Sequence, residues 1–89
     1  MNPYREFLDR WGLDLQINMV SEECAELIIA LNKYRRAPDD KKPDLMTIAE
    51  EIADVQIMLE QMKEAFQIDF LVERLIDEKL ERTLKRVRQ

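Results

Sequence analysis

Between Leu13 and Phe66 the apolar residues recur at alternating intervals of four and three, in two runs separated by a single proline-rich stretch. The first run is Leu13, Ile17, Val20, Cys24, Leu27, Leu31 and Tyr34; the second is Leu45, Ile48, Ile52, Val55, Leu59, Met62 and Phe66. This spacing describes a helix that offers one apolar stripe to a neighbouring helix, whereas a strand alternates its faces every second residue. One glycine in 89 residues leaves almost nothing for tight hairpins or glycine-rich phosphate loops. The chain therefore reads as all-α. Asn2-Pro3 opens a short helix that Gly12 ends, and a second helix runs from about Asp14 to Arg36. Asp44 caps a third to about Phe66, and Asp69 caps a fourth that carries Leu71, Leu75, Ile76, Leu80, Leu84 and Val87. Helices of this length on short connections pack as antiparallel neighbours, which predicts a four-helix bundle with residues 1–89 as one domain.

Composition narrows the chemistry. With no histidine, most zinc sites, imidazole acid–base catalysis and Ser-His-Asp arrangements are excluded. Cys24 is the one cysteine and has no partner in the chain, which fits a reducing cytoplasm. No apolar run reaches the roughly 20 residues of a membrane span, and Met1 to Glu6 lack the basic and apolar regions of a signal peptide. A chain this short buries only about 60% of its unfolded surface, so an oligomer is expected. The net charge of −5 is uneven: residues 79–89 carry +4 and residues 1–78 carry −9. A body so acidic repels bare nucleic acid, and the basic end reads as a solvated helix terminus complementing the helix dipole.

One motif occurs twice. Val20-Ser21-Glu22-Glu23-Cys24-Ala25-Glu26-Leu27 matches Ile48-Ala49-Glu50-Glu51-Ile52-Ala53-Asp54-Val55 position by position, 28 residues apart, which is four heptads. Glu23 and Glu26 lie about 60° apart on one helix face, as do Glu51 and Asp54 on the other, each pair flanking its apolar stripe. Packing the stripes together brings both pairs toward one cleft, where four like charges need compensation from lysine and arginine or from metal. Carboxylates alone suit hard cations such as Mg²⁺ or Mn²⁺, and Mg²⁺ usually acts together with substrate phosphates. Against this stands the plainer reading that paired acids belong to a solvated helix face.

Glu22-Glu23-Cys24-Ala25-Glu26 followed by Glu51-Ile52-Ala53-Asp54, with 24 residues between, resembles the EExxE…ExxD signature of MazG-type nucleotide pyrophosphohydrolases. These belong to the all-α NTP pyrophosphatase superfamily. The likeness continues in Trp11-Gly12, in the Glu-Leu-x-x-Ala-Leu run from Glu26 to Leu31, and in Lys79. It implies a MazG-like all-α bundle, a homo-oligomer (dimer or tetramer), that converts a nucleoside triphosphate and water to a monophosphate and pyrophosphate with Mg²⁺. It further implies metal ligands at Glu23, Glu26, Glu51 and Asp54, with Glu22, the first acid of the signature, orienting the attacking water beside Glu23 or binding a further ion. Lys33, Lys79 and Arg82 are candidates for phosphate oxygens, with solvated surface charge as the alternative. Gln16, Asn18 and Trp11 are candidates for the base and sugar, although an aromatic such as Trp11 more often simply packs in a core. The competing reading for the whole chain is a non-catalytic helical oligomerisation or regulatory module.

Overall fold

The computed structural model describes residues 2–89 and is all-helical, with no strand among them. Helix α1 spans Pro3–Trp11, α2 Leu13–Arg36, α3 Leu45–Phe66 and α4 Asp69–Val87, with a short 3₁₀ turn at Asp39–Lys41 inside the proline-rich connection. The boundaries follow from local chemistry. Asn2 Oδ1 accepts hydrogen bonds from the backbone N–H groups of Tyr4 and Arg5, and Pro3 supplies a preset φ in the first turn. Gly12, at φ 86°, turns the chain from α1 into α2 through a backbone conformation that side-chain-bearing residues avoid. Asp44 Oδ1 accepts from the Met46 N–H at the start of α3.

The fourth helix departs from expectation. Its cap position is Ile68, with no side-chain capping bond, and Asp69 is already inside the helix. Gln67 ends α3 in the left-handed region at φ 54°, and the Ile68 N–H returns to the Lys63 carbonyl. That tight reversal carries the Asp69 carboxylate to 3.2 Å from Lys63 Nζ, which also holds Glu60 at 2.7 Å. Asp69 is therefore committed to an ion pair rather than to a cap.

Helices α2 and α3 form the central antiparallel pair; α1 lies across both, and α4 packs against α3 alone. Arg5 fixes α1 to α3 by donating to Glu64 Oε1 at 3.3 Å and to the Glu64 carbonyl at 3.1 Å. At the other end Lys42 donates to the Tyr34 carbonyl at 2.7 Å and lies over the Tyr34 ring, folding the connection back on α2. The pairing register places Gln16 against Gln61, Glu23 against Asp54 and Glu26 against Glu51.

This register corrects the stripes expected from spacing. Only part of each stripe is shielded: on α3 alternate members, Ile48, Val55 and Met62, are half-buried, while Leu45, Ile52, Leu59 and Phe66 are exposed. On α2, Val20, Cys24, Leu27 and Tyr34 are half-buried, but Leu13, Ile17 and Leu31 are exposed. The contact line is rotated toward Gln16, Glu23 and Ala30 on one helix and Glu51, Met58 and Ala65 on the other. Residues seven apart recur on one face, so these sets are as regular as the apolar ones. The acids consequently do not flank the contact: Glu23 and Glu51 sit within it. Among the described residues the buried set is small, comprising Leu8, Ala30 and Met58 with Gln16 and Gln61. The apolar stripe of α4, expected inside a bundle, is exposed from Leu71 to Val87 because α4 meets the rest of the chain only along one side of α3. No helix among the described residues is long and apolar enough to cross a membrane.

Leu8 is the side chain that seats α1, at 6% exposure. Leu8→Ala is expected to cost about 3 kcal/mol, the range for a buried leucine whose cavity only partly relaxes. Urea unfolding checks this: the midpoint falls with little change in slope.

Candidate functional site

The duplicated motif closes on itself. Because α2 and α3 run antiparallel, the two copies meet head to tail, so that Glu23 faces Asp54 and Glu51 faces Glu26. One carboxylate oxygen from each of Glu23, Glu26, Glu51 and Asp54 lies within 4.8 Å of the others. Glu23 and Glu51 are half-buried between the helices, and Glu26 and Asp54 stand at the solvent side. Glu23 Oε2 and Glu51 Oε2 are shielded from solvent and have no hydrogen-bond partner. Leaving a buried acceptor unpaired is costly, and more so for a charged one.

The electrostatics record that cost. Partial burial first, and then the charges of Glu26, Asp54 and Glu51, hold the Glu23 carboxyl above its ordinary value of 4.5. Glu51 is raised in the same way, by burial first and then by Glu26 and Asp54. None of the ion pairs among the described residues involves any of the four acids. Of the two expected sources of compensation, lysine and arginine are thus not paired with the cluster within the chain. Four converging carboxylates with two orphaned oxygens fit a hard divalent cation, which takes oxygen ligands and whose charge meets the need.

The remaining candidates divide. Glu22 is exposed beside the cluster and outside it. Lys33 is exposed seven residues beyond Glu26, on the same side of α2. Asn18 is exposed and lies about 140° around α2 from Glu23 and about 80° from Glu26. Lys79 and Arg82 are exposed on α4, and no ion pair among the described residues ties them to another helix. Gln16 is buried and hydrogen-bonded to Gln61. Trp11 is not a core residue: it is 51% exposed, with its ring 5.9 Å from that of Phe7. Gly12 breaks the chain immediately after it, so α1 ends with Trp11 at the rim rather than under α2.

Sequence reasoning missed the cleft that Trp11 borders. Phe7, Trp11, Leu15, Met19 and Met58 surround about 420 Å³, with Gln16 and Gln61 also in the wall. The signal was present in the heptads: Gln16 precedes Glu23 by seven residues and Gln61 follows Asp54 by seven. The cleft therefore adjoins the acids on the same faces of α2 and α3, with about 10 Å along the helix between Gln16 and Glu23. A larger hollow of about 500 Å³ between α3 and α4 holds none of the four acids, and its Lys63 and Glu60 neutralise each other. No family model, curated protein or solved structure matches the chain.

The raised carboxyls fix the sign of a pH dependence. Above about pH 4.5 the folded chain holds protons on Glu23 and Glu51 that the unfolded chain has released, so this contribution to stability falls as pH rises. In thermal melts with chelator, Glu51→Gln is expected to melt higher than the parent at pH 8, with the difference shrinking toward pH 5. Millimolar Mg²⁺ or Mn²⁺ is expected to raise the parent's melting temperature, and Glu51→Gln to respond less.

Proposed function

We propose that this chain is a Mg²⁺-dependent nucleoside triphosphate pyrophosphohydrolase of the MazG type, cleaving NTP or dNTP with water to NMP and pyrophosphate. The observation that carries the reading is the convergence of Glu23, Glu26, Glu51 and Asp54 with two oxygens left unpartnered between the helices. A divalent ion held there supplies charge neutralisation for the triphosphate, polarisation of the reacting phosphorus and acidification of a water, which is how hydrolysis proceeds without histidine. The protein's own part is placement. Glu23 and Glu51 anchor from within the interface, Glu26 and Asp54 close the site from its solvent side, and Glu22 beside them accepts the proton of the attacking water.

The order of residues along α2 suits an extended nucleotide. The aromatic cleft with Gln16 takes the base, the acids lie about 10 Å further on at the scissile phosphate, and Lys33 lies about 10 Å beyond Glu26 for the departing pyrophosphate. Trp11 borders the base end. Asn18, on another side of α2, has no part in this arrangement.

The active form in this reading is a cytoplasmic homo-oligomer. Exposed Ile17, Ile28 and Leu31 on α2, Ile52, Leu59 and Phe66 on α3, and the stripe of α4 are apolar faces that one chain leaves uncovered. Lys79 and Arg82, on the uncovered α4, are cations available to the acidic face of a neighbouring copy. The same faces favour the alternative of a non-catalytic helical assembly module, from which turnover distinguishes the enzyme.

Pyrophosphate release from a panel of NTPs and dNTPs with Mg²⁺ or Mn²⁺ is the direct assay. Turnover of at least one nucleotide is expected, falling about 100-fold or more in Glu51→Gln and in Asp54→Asn, since losing a few kcal/mol at the metal is tenfold per 1.4 kcal/mol. Absence of turnover across the panel favours the assembly module. In sedimentation, the protein is expected at a multiple of 10.7 kDa, with Leu80→Glu shifting it toward that mass.

A further inference from the structure

Gln16 and Gln61 are the two buried polar side chains among the described residues, at 5% and 2% exposure, and they sit in the wall of an otherwise apolar cleft. Two primary amides bring four N–H donors and two carbonyl oxygens to this point. Gln16 Nε2 donates to Gln61 Oε1, and Gln61 Nε2 donates to Met58 Sδ. Gln16 Oε1 accepts from none of the described residues and is not among their solvent-shielded unpartnered oxygens, so the pair keeps an acceptor open to the cleft together with spare donors.

The surroundings favour a flat ring. The aromatic rings of Phe7 and Trp11 and the pliable thioethers of Met19 and Met58 offer apolar surface for stacking, with the amides as the few polar groups that set orientation. The amide edge of glutamine pairs with a ring edge that carries an N–H donor beside an acceptor, as it does with adenine in nucleic-acid recognition.

We propose that the Gln16–Gln61 pair is the specificity-determining element of the site, accepting a hydrogen bond from an N–H on the edge of a nucleobase stacked in the cleft. This rests on the nucleotide reading above and adds to it how the base is read. A site built to hydrogen-bond a ligand N–H discriminates sharply against the analogue that lacks it, because its own buried group is then left unpaired.

The test uses nucleosides, without phosphate or metal, so that it is independent of hydrolysis. Trp11 is the chain's single tryptophan and borders the cleft, so its fluorescence reports occupancy. Binding is compared within three pairs that differ in the blocked donor: uridine with 3-methyluridine, cytidine with N4,N4-dimethylcytidine, adenosine with N6,N6-dimethyladenosine. In at least one pair the unblocked nucleoside is expected to bind about tenfold tighter or more, the discrimination of one buried hydrogen bond. Gln16→Met is expected to bring that ratio to about one. If the single variant does not fold, Gln16→Met/Gln61→Met removes both amides and leaves neither unpaired. No nucleoside binding, equal binding within every pair, or a ratio that survives the substitution overturns the proposal; an amide pair that only sets helix register gives one of these. Base discrimination without pyrophosphate release removes the hydrolase reading alone, and turnover without base discrimination removes this inference alone.

Discussion

The structure depends on four carboxylates brought together where two helices would otherwise bury apolar side chains. A heptad-matched duplication guarantees the encounter: any antiparallel pairing that places Glu23 opposite Asp54 also places Glu26 opposite Glu51. Like charges at this separation, partly shielded from water, work against the α2–α3 contact and raise the two inner carboxyls. Under the proposed function a divalent cation held among the four acids would offset that burden with one atom.

The rest of the architecture follows from giving the contact line to acids and amides. With Gln16, Glu23 and Ala30 turned toward α3, half of each apolar stripe is turned away from it. Residues such as Ile17 and Leu59 thereby become outer surface, continuous in character with the uncovered stripe of α4. The hydrophobic effect penalises this exposure by about 25 cal/mol for each Å². Under the proposed reading a second copy of the chain covers these faces, so that the site and the assembly would be two results of one rotation of the helices.

Much of this was legible in the sequence, and unevenly so. Helix existence and ends were set by local chemistry, with Asn2, Gly12 and Asp44 acting where their residue types direct. Asp69 was misassigned as a cap because its ion pair with Lys63 depends on the reversal at Gln67, which has no glycine to announce it. The four acids are legible as one group because a pair of carboxylates three residues apart recurs after 28 residues. Their position inside the contact was not, since hydrophobicity alone weights the apolar stripe over a parallel row of Gln, Glu and Ala. Gln61 and the cleft escaped for the same reason: a glutamine within a long charged helix looks like surface until its partner is known.

Under the proposed activity the α2–α3 face is a single track, from an amide-edged cleft through the acids to Lys33. Its centre is the claim on which the others hang. Electron paramagnetic resonance titration with Mn²⁺, with and without a non-hydrolysable nucleoside triphosphate analogue, tests it most directly. The account predicts saturable binding that Glu23→Gln and Glu51→Gln each weaken severely. Mn²⁺ that stays free under both conditions, or binds equally well to the two variants, would contradict it.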